Sequence, residues 1–254
     1  MIRTLPKRRV LTVDVTTGTF QEQVARIMDQ AAAGNPSYVC CVNVHMAMEA
    51  RDPGFAAVVN AAGMATPDGM PIVRSLKLLH GIRQDRVAGN DLMPALLAEA
   101  ARMGVGVFLY GGAAETLAMI VARARQEFVG IRIVGTYAPP FKPFAEMAFD
   151  ADARRIADSG AGLVLVSLGC PKQERWMAQM QGRFPAVSVG LGGAFLLYAG
   201  IDSRAPRWMR DLSLEWLYRL ALEPGRLWKR YLITNTRFIA MLVGALLRGR
   251  SRRK

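Results

Sequence analysis

Short runs of hydrophobic residues alternate along the chain with longer segments whose apolar residues recur at the period of a helix. The short runs, each bounded by Gly, Pro or Asn, predict strands over residues 10–15, 38–44, 105–110, 131–136, 163–168 and 187–191. The periodic segments predict helices over residues 20–33, 53–62, 71–80, 91–103, 113–128, 144–159 and 172–183. Strands that alternate with helices of this length are typical of an α/β fold, here a Rossmann-like, mainly parallel sheet with helices on both faces.

After Gly200 the strand pattern ends and the remaining chain is predicted to be helical. The charge changes at the same point. Residues 1–200 carry 20 Lys and Arg against 16 Asp and Glu, a net charge of +4, whereas residues 201–254 carry 13 against 4, a net charge of +9. We therefore divide the chain into an α/β domain, residues 1–200, and a helical basic appendage, residues 201–254. A basic segment of this kind indicates a partner that carries phosphate: nucleic acid, anionic lipid or a phosphorylated substrate.

Composition limits the remaining classes. A hydrophobic content of 52% excludes a mainly disordered chain, and three cysteines cannot form a disulfide framework, so we expect a reduced, cytosolic protein. The N-terminal segment is charged and lacks the apolar run of a secretory signal. The longest apolar stretch near the C-terminus, residues 238–247, has ten residues, and crossing a bilayer takes about 20. We expect no membrane-spanning segment.

Ligands of open parallel sheets bind at the carboxyl ends of the strands. Polar residues or glycines follow four of the predicted strands, and these are Asn43 with His45, Gly111 with Gly112, residues 169–174, and Gly192 with Gly193. The sequence therefore predicts a binding site along this edge of the sheet.

Asp68 lies in residues 65–71, where Pro67 and Pro71 bracket a predicted turn. One interpretation makes Asp68 the N-cap of the helix that Pro71 begins, since Asp is a preferred capping residue. The other makes it a general base at the edge of the sheet. Helix-terminal amides lower the basicity of a carboxylate, so the second interpretation requires a reaction in which the proton becomes strongly acidic.

Residues 168–174 carry a strand into a helix whose first turn holds Lys172, Gln173 and Glu174. The helix N-terminus and Lys172 suit an anion, and Gln173 can both donate and accept hydrogen bonds. An ordinary strand-to-helix connection with a solvated first turn remains the alternative.

Arg86 precedes Asn90 and Asp91, one of which we expect to cap the following helix. Arg86 could face the same edge and bind phosphate, or it could simply be solvated.

The signals for metal and dinucleotide binding are weak. Asp150 and Asp152 form an acidic pair, but they lie in a helical pattern where we expect both on the solvated face. His45 and His80 are isolated, so no metal site is expected. Residues 104–106 lack the third glycine of a dinucleotide fingerprint, which disfavours a nucleotide-dependent oxidoreductase.

The appendage interleaves arginines with tryptophans, as in Arg207-Trp208 and around Trp216 and Trp228. Helices of this composition pack on the body or lie at a membrane interface, where a basic end adds attraction to anionic lipid. The even mixture of apolar and basic residues favours a membrane over nucleic acid. A non-catalytic module that binds anionic membrane or nucleic acid remains the alternative from another class.

Six linked motifs resemble one bacterial family, the TagA/CpsF/WecG-type glycosyltransferases. This family includes teichoic-acid linkage-unit N-acetylmannosaminyltransferases, enterobacterial-common-antigen N-acetylmannosaminuronate transferases and related exopolysaccharide enzymes. The motifs keep the family's order and spacing across about residues 10–240, and they are Asn43-Val44-His45, Pro67-Asp68-Gly69, residues 86–91, residues 168–174, residues 190–195, and Arg204-Ala205-Pro206 with residues 214–219.

The resemblance implies an inverting enzyme that moves a sugar from a UDP-sugar to a polyprenyl-diphosphate-linked sugar, with a β linkage, as a peripheral protein at the cytoplasmic face of the inner membrane. Asp68 would be the base, Asn43 would position substrate and Gln173 would contact the donor. Arg86 would meet phosphate. Arg219 and Arg226 would stabilise the leaving diphosphate, because no metal cofactor is expected.

The resemblance also implies a substrate-binding set: Cys41, Thr66, Gly69, Gly111, Gly112, Gly169, Pro171, Lys172, Gly192, Arg204, Arg207 and Arg230. Many relatives carry a hydroxyl residue where this chain has Cys41, which is a departure from the pattern. The expected partners are the two sugar substrates and an anionic membrane surface, with no nucleic acid. A homo-oligomer, the donor sugar and the first sugar of the acceptor are left open.

Overall fold

A computed structural model describes residues 4–203, 205–206, 209, 217–218, 220 and 224–251. The elements that it gives begin with β1 (Lys7–Val10), β2 (Val13–Thr16), α1 (Phe20–Ala32), β3 (Ser37–Val42), α2 (Val44–Glu49), α3 (Pro53–Ala61), β4 (Met64–Pro67), α4 (Met70–His80) and α5 (Gly89–Met103). They continue with β5 (Val107–Gly111), α6 (Ala114–Glu127), β6 (Ile133–Tyr137), α7 (Phe149–Asp158), β7 (Leu163–Ser167), α8 (Lys172–Met180), β8 (Val187–Gly190), α9 (Ala194–Tyr198) and α10 (Pro224–Ser251).

Strands β3 to β8 form one parallel sheet in the order β4-β3-β8-β7-β5-β6. The chain leaves β3 towards β4 at one edge and leaves β5 towards β6 at the other, so the sheet is wound in both directions. This arrangement confirms the predicted α/β, Rossmann-like fold. Because all six strands are parallel, their carboxyl ends meet at one edge of the sheet, where ligands of such folds bind.

Successive side chains of each strand enter two different cores, one on each face of the sheet. In β3, Tyr38 and Cys40 pack with α2, α3, α4, α7 and α8, whereas Val39 and Cys41 pack with α1, α5, α6 and α9. Burial on both faces explains why these strands are continuous hydrophobic runs in the sequence.

Two predictions near the edge of the sheet are wrong. The strand predicted over residues 10–15 is an antiparallel hairpin of β1 and β2, which forms its own small sheet and reverses at Leu11, where φ is +56°. The second error is a missing strand: residues 64–67 form β4, whereas the sequence indicated only the turn between Pro67 and Pro71, which follows this strand. A four-residue run that ends in proline gives little indication of a strand. The proline is tolerated because β4 is the edge strand, where one side of the backbone needs no partner strand.

Other boundaries also differ from the predictions. Strand β3 ends at Val42, because Asn43 caps α2, a short helix that the sequence did not indicate. The helix predicted over residues 144–159 divides into a 3₁₀ turn (Phe144–Glu146) and α7. Helix α9 has five residues, too few to show a periodic pattern.

Helix α10 lies against α2 and α4 through Phe238, which is only 2% exposed and belongs to the core on that face. The division at residue 200 stays a prediction. No helix within the described ranges is both long enough and apolar enough to cross a membrane.

Candidate active site

Asn43 and Asp68 are neighbours because of the register of two strands. Val42 pairs with Pro67 across β3 and β4, so the residues that follow them leave the sheet side by side. The side-chain amide nitrogen of Asn43 lies 3.4 Å from Oδ2 of Asp68. The oxygen of the same amide accepts the backbone N–H of Met46 and caps α2. This second bond turns the N–H₂ end of Asn43 towards the carboxylate.

The other oxygen of Asp68 meets the beginning of α5. Its Oδ1 accepts the backbone N–H of Gly89, the first residue of α5, at 3.3 Å. Asp68 does not cap α4, as one interpretation of the sequence had it, because Gly69 occupies that N-cap position and makes no side-chain capping bond. The carboxylate is therefore held between an amide side chain and the positive end of a helix.

Thr66 and Cys41 lie beneath this carboxylate, paired across β3 and β4 and both buried. The Thr66 hydroxyl donates to the carbonyl oxygen of Val87 at 3.1 Å, and the backbone of Pro67 accepts the Val87 N–H at 2.9 Å. These two bonds fix the segment that leads into Gly89. Burial raises the pKa of the Cys41 thiol, and the negative charge of Asp68 raises it further, so the thiol stays neutral.

Arg86 lies three residues before Gly89 and donates to Oδ2 of Asp91 at 3.1 Å. Asp91 stands in the first turn of α5, whose N-cap position is taken by Ala88. The expectation that Asn90 or Asp91 caps this helix is therefore wrong. The ion pair holds the guanidinium at the same helix end that contacts Asp68.

Gln173 lies across the end of β8. An added Cβ at Gly190 would be 3.0 Å from the Gln173 amide nitrogen and 2.8 Å from Cε of Met177, so a side chain there would displace the ends of both. Two residues further on, a Cβ at Gly192 would be 3.4 Å from Oε1 of Gln173. The solvated first turn considered for α8 is wrong for this residue, since Gln173 is 5% exposed.

Gly111 is the last residue of β5, which lies on the far side of β7 from Gln173, and Gly112 follows it. The backbone of Gly111 has φ +96°, and a Cβ there would lie 2.2 Å from the carbonyl oxygen of Ser167. The Ser167 hydroxyl in turn donates to the carbonyl oxygen of Gly192 at 3.0 Å. Glycine at position 111 thus lets the backbones of β5 and β7 approach each other closely where the two strands end.

The remaining predicted residues of this region are placed as follows. Gly69 follows Asp68, Gly169 and Pro171 form the turn into α8, and the Cys170–Pro171 peptide bond is cis. The Lys172 ammonium donates to the carbonyl oxygen of Lys142 at 2.6 Å and lies over the ring of Phe141. Lys172 therefore ties the start of α8 to the loop after β6.

Comparison with known proteins identifies the family. Residues 8–252 match the model of the glycosyl transferase WecG/TagA/CpsF family. The chain is also 35% identical over 196 residues to an N-acetylglucosaminyldiphosphoundecaprenol N-acetyl-beta-D-mannosaminyltransferase of Bacillus subtilis (strain 168), covering 76% of this chain and 74% of that protein. A protein of the same name from Bacillus spizizenii is 36% identical over 198 residues, 77% of this chain and 75% of its own length. The chain belongs to this family.

As a WecG/TagA/CpsF family member the protein is a glycosyltransferase, which confirms the resemblance stated from the motifs. A non-catalytic docking module is not favoured. Three of the motifs, those around Asn43, Asp68 and Arg86, meet at one point at the carboxyl edge of the sheet.

The two carboxylates of the acidic pair, Asp150 and Asp152, have different partners. Asp150 is exposed and bonds Arg183, whereas Asp152 is 2% exposed and accepts the Tyr110 hydroxyl at 2.5 Å. The prediction that both lie on the solvated face is therefore wrong for Asp152. Across the described part of the chain, no three His, Cys, Asp or Glu side chains converge as a metal site would require. Metal independence stays a prediction.

Several predicted site residues of the appendage cannot be placed. Arg204, Arg207 and Arg219 lie outside the described residues, and Arg226 and Arg230 are on α10, whose backbone alone is described at those positions. Their roles remain predictions.

Two features of the site were not predicted from the sequence, the contact made by the Gly89 amide and the burial of Glu174. The backbone N–H of Gly89 gives no sequence signal, because its role depends on where α5 begins. Glu174 did stand beside Gln173 in the motif, but its complete burial was not expected.

Proposed function

We propose that this glycosyltransferase moves a sugar from a UDP-sugar to a polyprenyl-diphosphate-linked sugar, with inversion to a β linkage, in the synthesis of a bacterial surface polysaccharide. Both relatives carry names that describe transfer of an N-acetyl-β-D-mannosaminyl group to a diphosphoundecaprenol-linked sugar. The observation that carries the proposal is the carboxylate of Asp68, held between Asn43 and the N-terminus of α5 at the carboxyl edge of the sheet.

In the proposed reaction an acceptor hydroxyl attacks the anomeric carbon from the side opposite to UDP. The new carbon–oxygen bond forms while the bond to the diphosphate breaks, its electron pair leaves with UDP, and the hydroxyl proton passes to Asp68. The hydroxyl becomes acidic as its bond to carbon forms. A carboxylate whose basicity is moderated by two hydrogen-bond donors is therefore sufficient.

The leaving diphosphate needs compensating positive charge. Arg86 lies three residues before Gly89, and its ion pair with Asp91 holds the guanidinium at the beginning of α5. Arg219 and Arg226 would complete this charge from the appendage. We propose that these cations act in place of a metal ion.

Membrane attachment of the enzyme is the second part of the proposal. Helix α10 buries Phe238 against the body, while an exposed apolar stripe lies on another side of the helix, made of Trp228, Leu232, Ile239, Val243 and Leu247. Residues spaced in this way share one face of a helix. An apolar stripe on a basic helix suits an anionic lipid surface, which is where a lipid-linked acceptor would be met, at the cytoplasmic face of the inner membrane.

The test is release of UDP from a panel of UDP-sugars, with and without a short-chain polyprenyl diphosphate that carries N-acetylglucosamine. UDP-N-acetylmannosamine is the first donor of the panel, followed by its uronate and UDP-glucose. We expect UDP release that depends on the acceptor, with a β-linked disaccharide as product. An enzyme that releases no UDP from any donor overturns the proposal.

A further inference from the structure

Gln173 and Glu174 make an unusual contact at the start of α8. Consecutive residues of a helix do not face each other, yet Nε2 of Gln173 donates to Oε1 of Glu174 at 2.7 Å. Both side chains are buried, Gln173 at 5% and Glu174 at 0% exposure. A short bond between two such neighbours constrains how each side chain is turned.

The contact decides which end of the Gln173 carboxamide is offered to the site. A carboxamide presents an acceptor oxygen at one end and a donor nitrogen at the other. With its nitrogen bound to Glu174, Gln173 has its Oε1 next to Gly192, at the end of β8. This buried oxygen accepts no hydrogen bond from any described residue. A buried acceptor without a partner is costly, and a ligand that donates to it removes the cost.

The Glu174 carboxyl is held through one of its two oxygens. Its Oε1 accepts from Gln173, whereas its Oε2 is buried and accepts no hydrogen bond from any described residue. Burial raises the pKa of this carboxyl above the ordinary value of a glutamate. In either protonation state one carboxyl oxygen can accept from Gln173.

We propose that Glu174 is a positioning residue, which turns the carboxamide of Gln173 so that Oε1 accepts a hydrogen bond from an O–H or N–H group of the sugar nucleotide. This inference rests on the UDP-sugar donor proposed above and adds a residue to it. Glu174 itself touches no substrate; it acts through Gln173. Without the carboxyl, the amide loses the acceptor that fixes its nitrogen, and it presents the wrong group part of the time.

The test is a double-mutant cycle on the full chain, with KM for the UDP-sugar and kcat measured separately. Glu174→Met keeps the volume and removes the acceptor; we expect KM for the donor to rise about three- to tenfold, the effect of one neutral hydrogen bond, with kcat little changed. Glu174→Gln retains an acceptor oxygen and should stay within about twofold of the parent enzyme. In a Gln173→Met background, Glu174→Met should have no further effect, because the residue through which it acts is gone.

Asp152→Leu is the matched control, because it removes another buried carboxyl on the same face of the sheet without touching Gln173. It should change the thermal midpoint and leave KM for the donor unchanged. If Glu174→Met does not fold, Glu174→Ala takes its place in the cycle.

Two failures are distinguishable. Additive effects of Glu174→Met and Gln173→Met, or an unchanged KM in Glu174→Met, overturn the positioning role while the glycosyltransferase reaction stands. A parent enzyme that neither binds any UDP-sugar by calorimetry nor releases UDP overturns both this inference and the proposed donor.

Discussion

The carboxylate of Asp68 accepts the backbone N–H of Gly89, 21 residues further along the chain, at the first turn of α5. The bond joins the carboxyl end of the edge strand β4 to a helix on the opposite face of the sheet from α4. Thr66 and Pro67, the two residues before Asp68, both bond Val87 and so hold the same helix end in place. The position of the proposed base is therefore set by the start of α5 on one side and by the Asn43 side chain on the other.

Asp68→Asn tests the base. The amide keeps the size of the side chain and can still bond Gly89, so the fold and UDP binding should be retained. Turnover should fall roughly 10²–10⁴-fold, because an amide cannot take the acceptor proton. The measurement is UDP release at saturating donor and acceptor, with UDP affinity followed by calorimetry.

Asp158→Asn is the control for this substitution, since Asp158 is an exposed carboxylate at the end of α7. It should leave turnover unchanged. Turnover of Asp68→Asn close to that of the control would show that Asp68 is not the base.

Chelation tests whether the cations of the chain replace a metal. Enzyme stripped of divalent ions should keep its UDP-release rate in EDTA, because Arg86 and the arginines of the appendage would carry the charge compensation. Loss of activity that magnesium or manganese restores would contradict this, and Asp150→Asn would then show whether the exposed member of the acidic pair takes part.

The buried carboxyl of Glu174 should make stability depend on pH. Its pKa is raised by burial, so the folded state binds the proton more tightly than the unfolded chain does. Stability from this group is therefore present below the ordinary value of about 4.5 and is lost as the pH rises through the higher folded value. Glu174→Gln cannot ionise and should become more stable relative to the parent protein as the pH rises.

Urea unfolding of the two proteins at several pH values from 4 to 8 measures this difference. The difference between the two curves removes every titration that they share. A difference in unfolding free energy that stays constant over this range would mean that the pKa of the Glu174 carboxyl is not raised in the folded protein.

The sequence predicted the fold because most strands of the central sheet are buried on both faces. Residues Leu163, Val164, Leu165 and Val166 of β7 are all fully buried, so hydrophobicity alone marked the strand. Strand β4 was not predicted, because its four residues end in a proline. It is a strand only through its pairing with β3. Local pattern cannot show a pairing that is made across the sheet.

The site was predictable in part for the same reason. Asn43 and Gln173 lie just after predicted strands at the carboxyl edge, so their neighbourhood could be expected from the topology, whereas Asp68 follows β4, which was not predicted. The contact of the Gly89 amide could not be predicted, because it depends on where α5 begins and how this helix packs against the sheet. Asp152 could not either: a helical pattern assigns a carboxylate to solvent, whereas here the Tyr110 hydroxyl satisfies it inside the protein.

The docking of α10 on the body rests on Phe238. Truncation of this buried ring to alanine should lower the free energy of unfolding by about 3–5 kcal/mol, the usual cost of removing a buried Phe side chain. Phe141 is fully exposed and meets the Lys172 ammonium, so Phe141→Ala should lower the free energy of unfolding by no more than about 1 kcal/mol. Equal unfolding curves for the two variants would show that α10 does not contribute to the core.

The appendage should have two separable roles, one at the membrane and one in the reaction. Replacing Trp228, Leu232 and Ile239 by serine removes exposed apolar groups and should spare the fold. Binding to liposomes with anionic lipid should fall, while UDP release with a short-chain soluble acceptor stays near the parent rate. For the parent protein, liposome binding should weaken as salt rises, because screening reduces the attraction of basic residues to the lipid.

Arg219→Ala should do the reverse. Turnover with the soluble acceptor should collapse, because the leaving diphosphate loses a stabilising cation, and liposome binding should be largely retained, because one of many basic residues has been removed. The serine triple variant and Arg219→Ala thus form a matched pair, each the control for the other. If Arg219→Ala loses liposome binding but keeps turnover on the soluble acceptor, the appendage only anchors the enzyme, and the charge on the leaving group must be met by residues of the α/β domain alone.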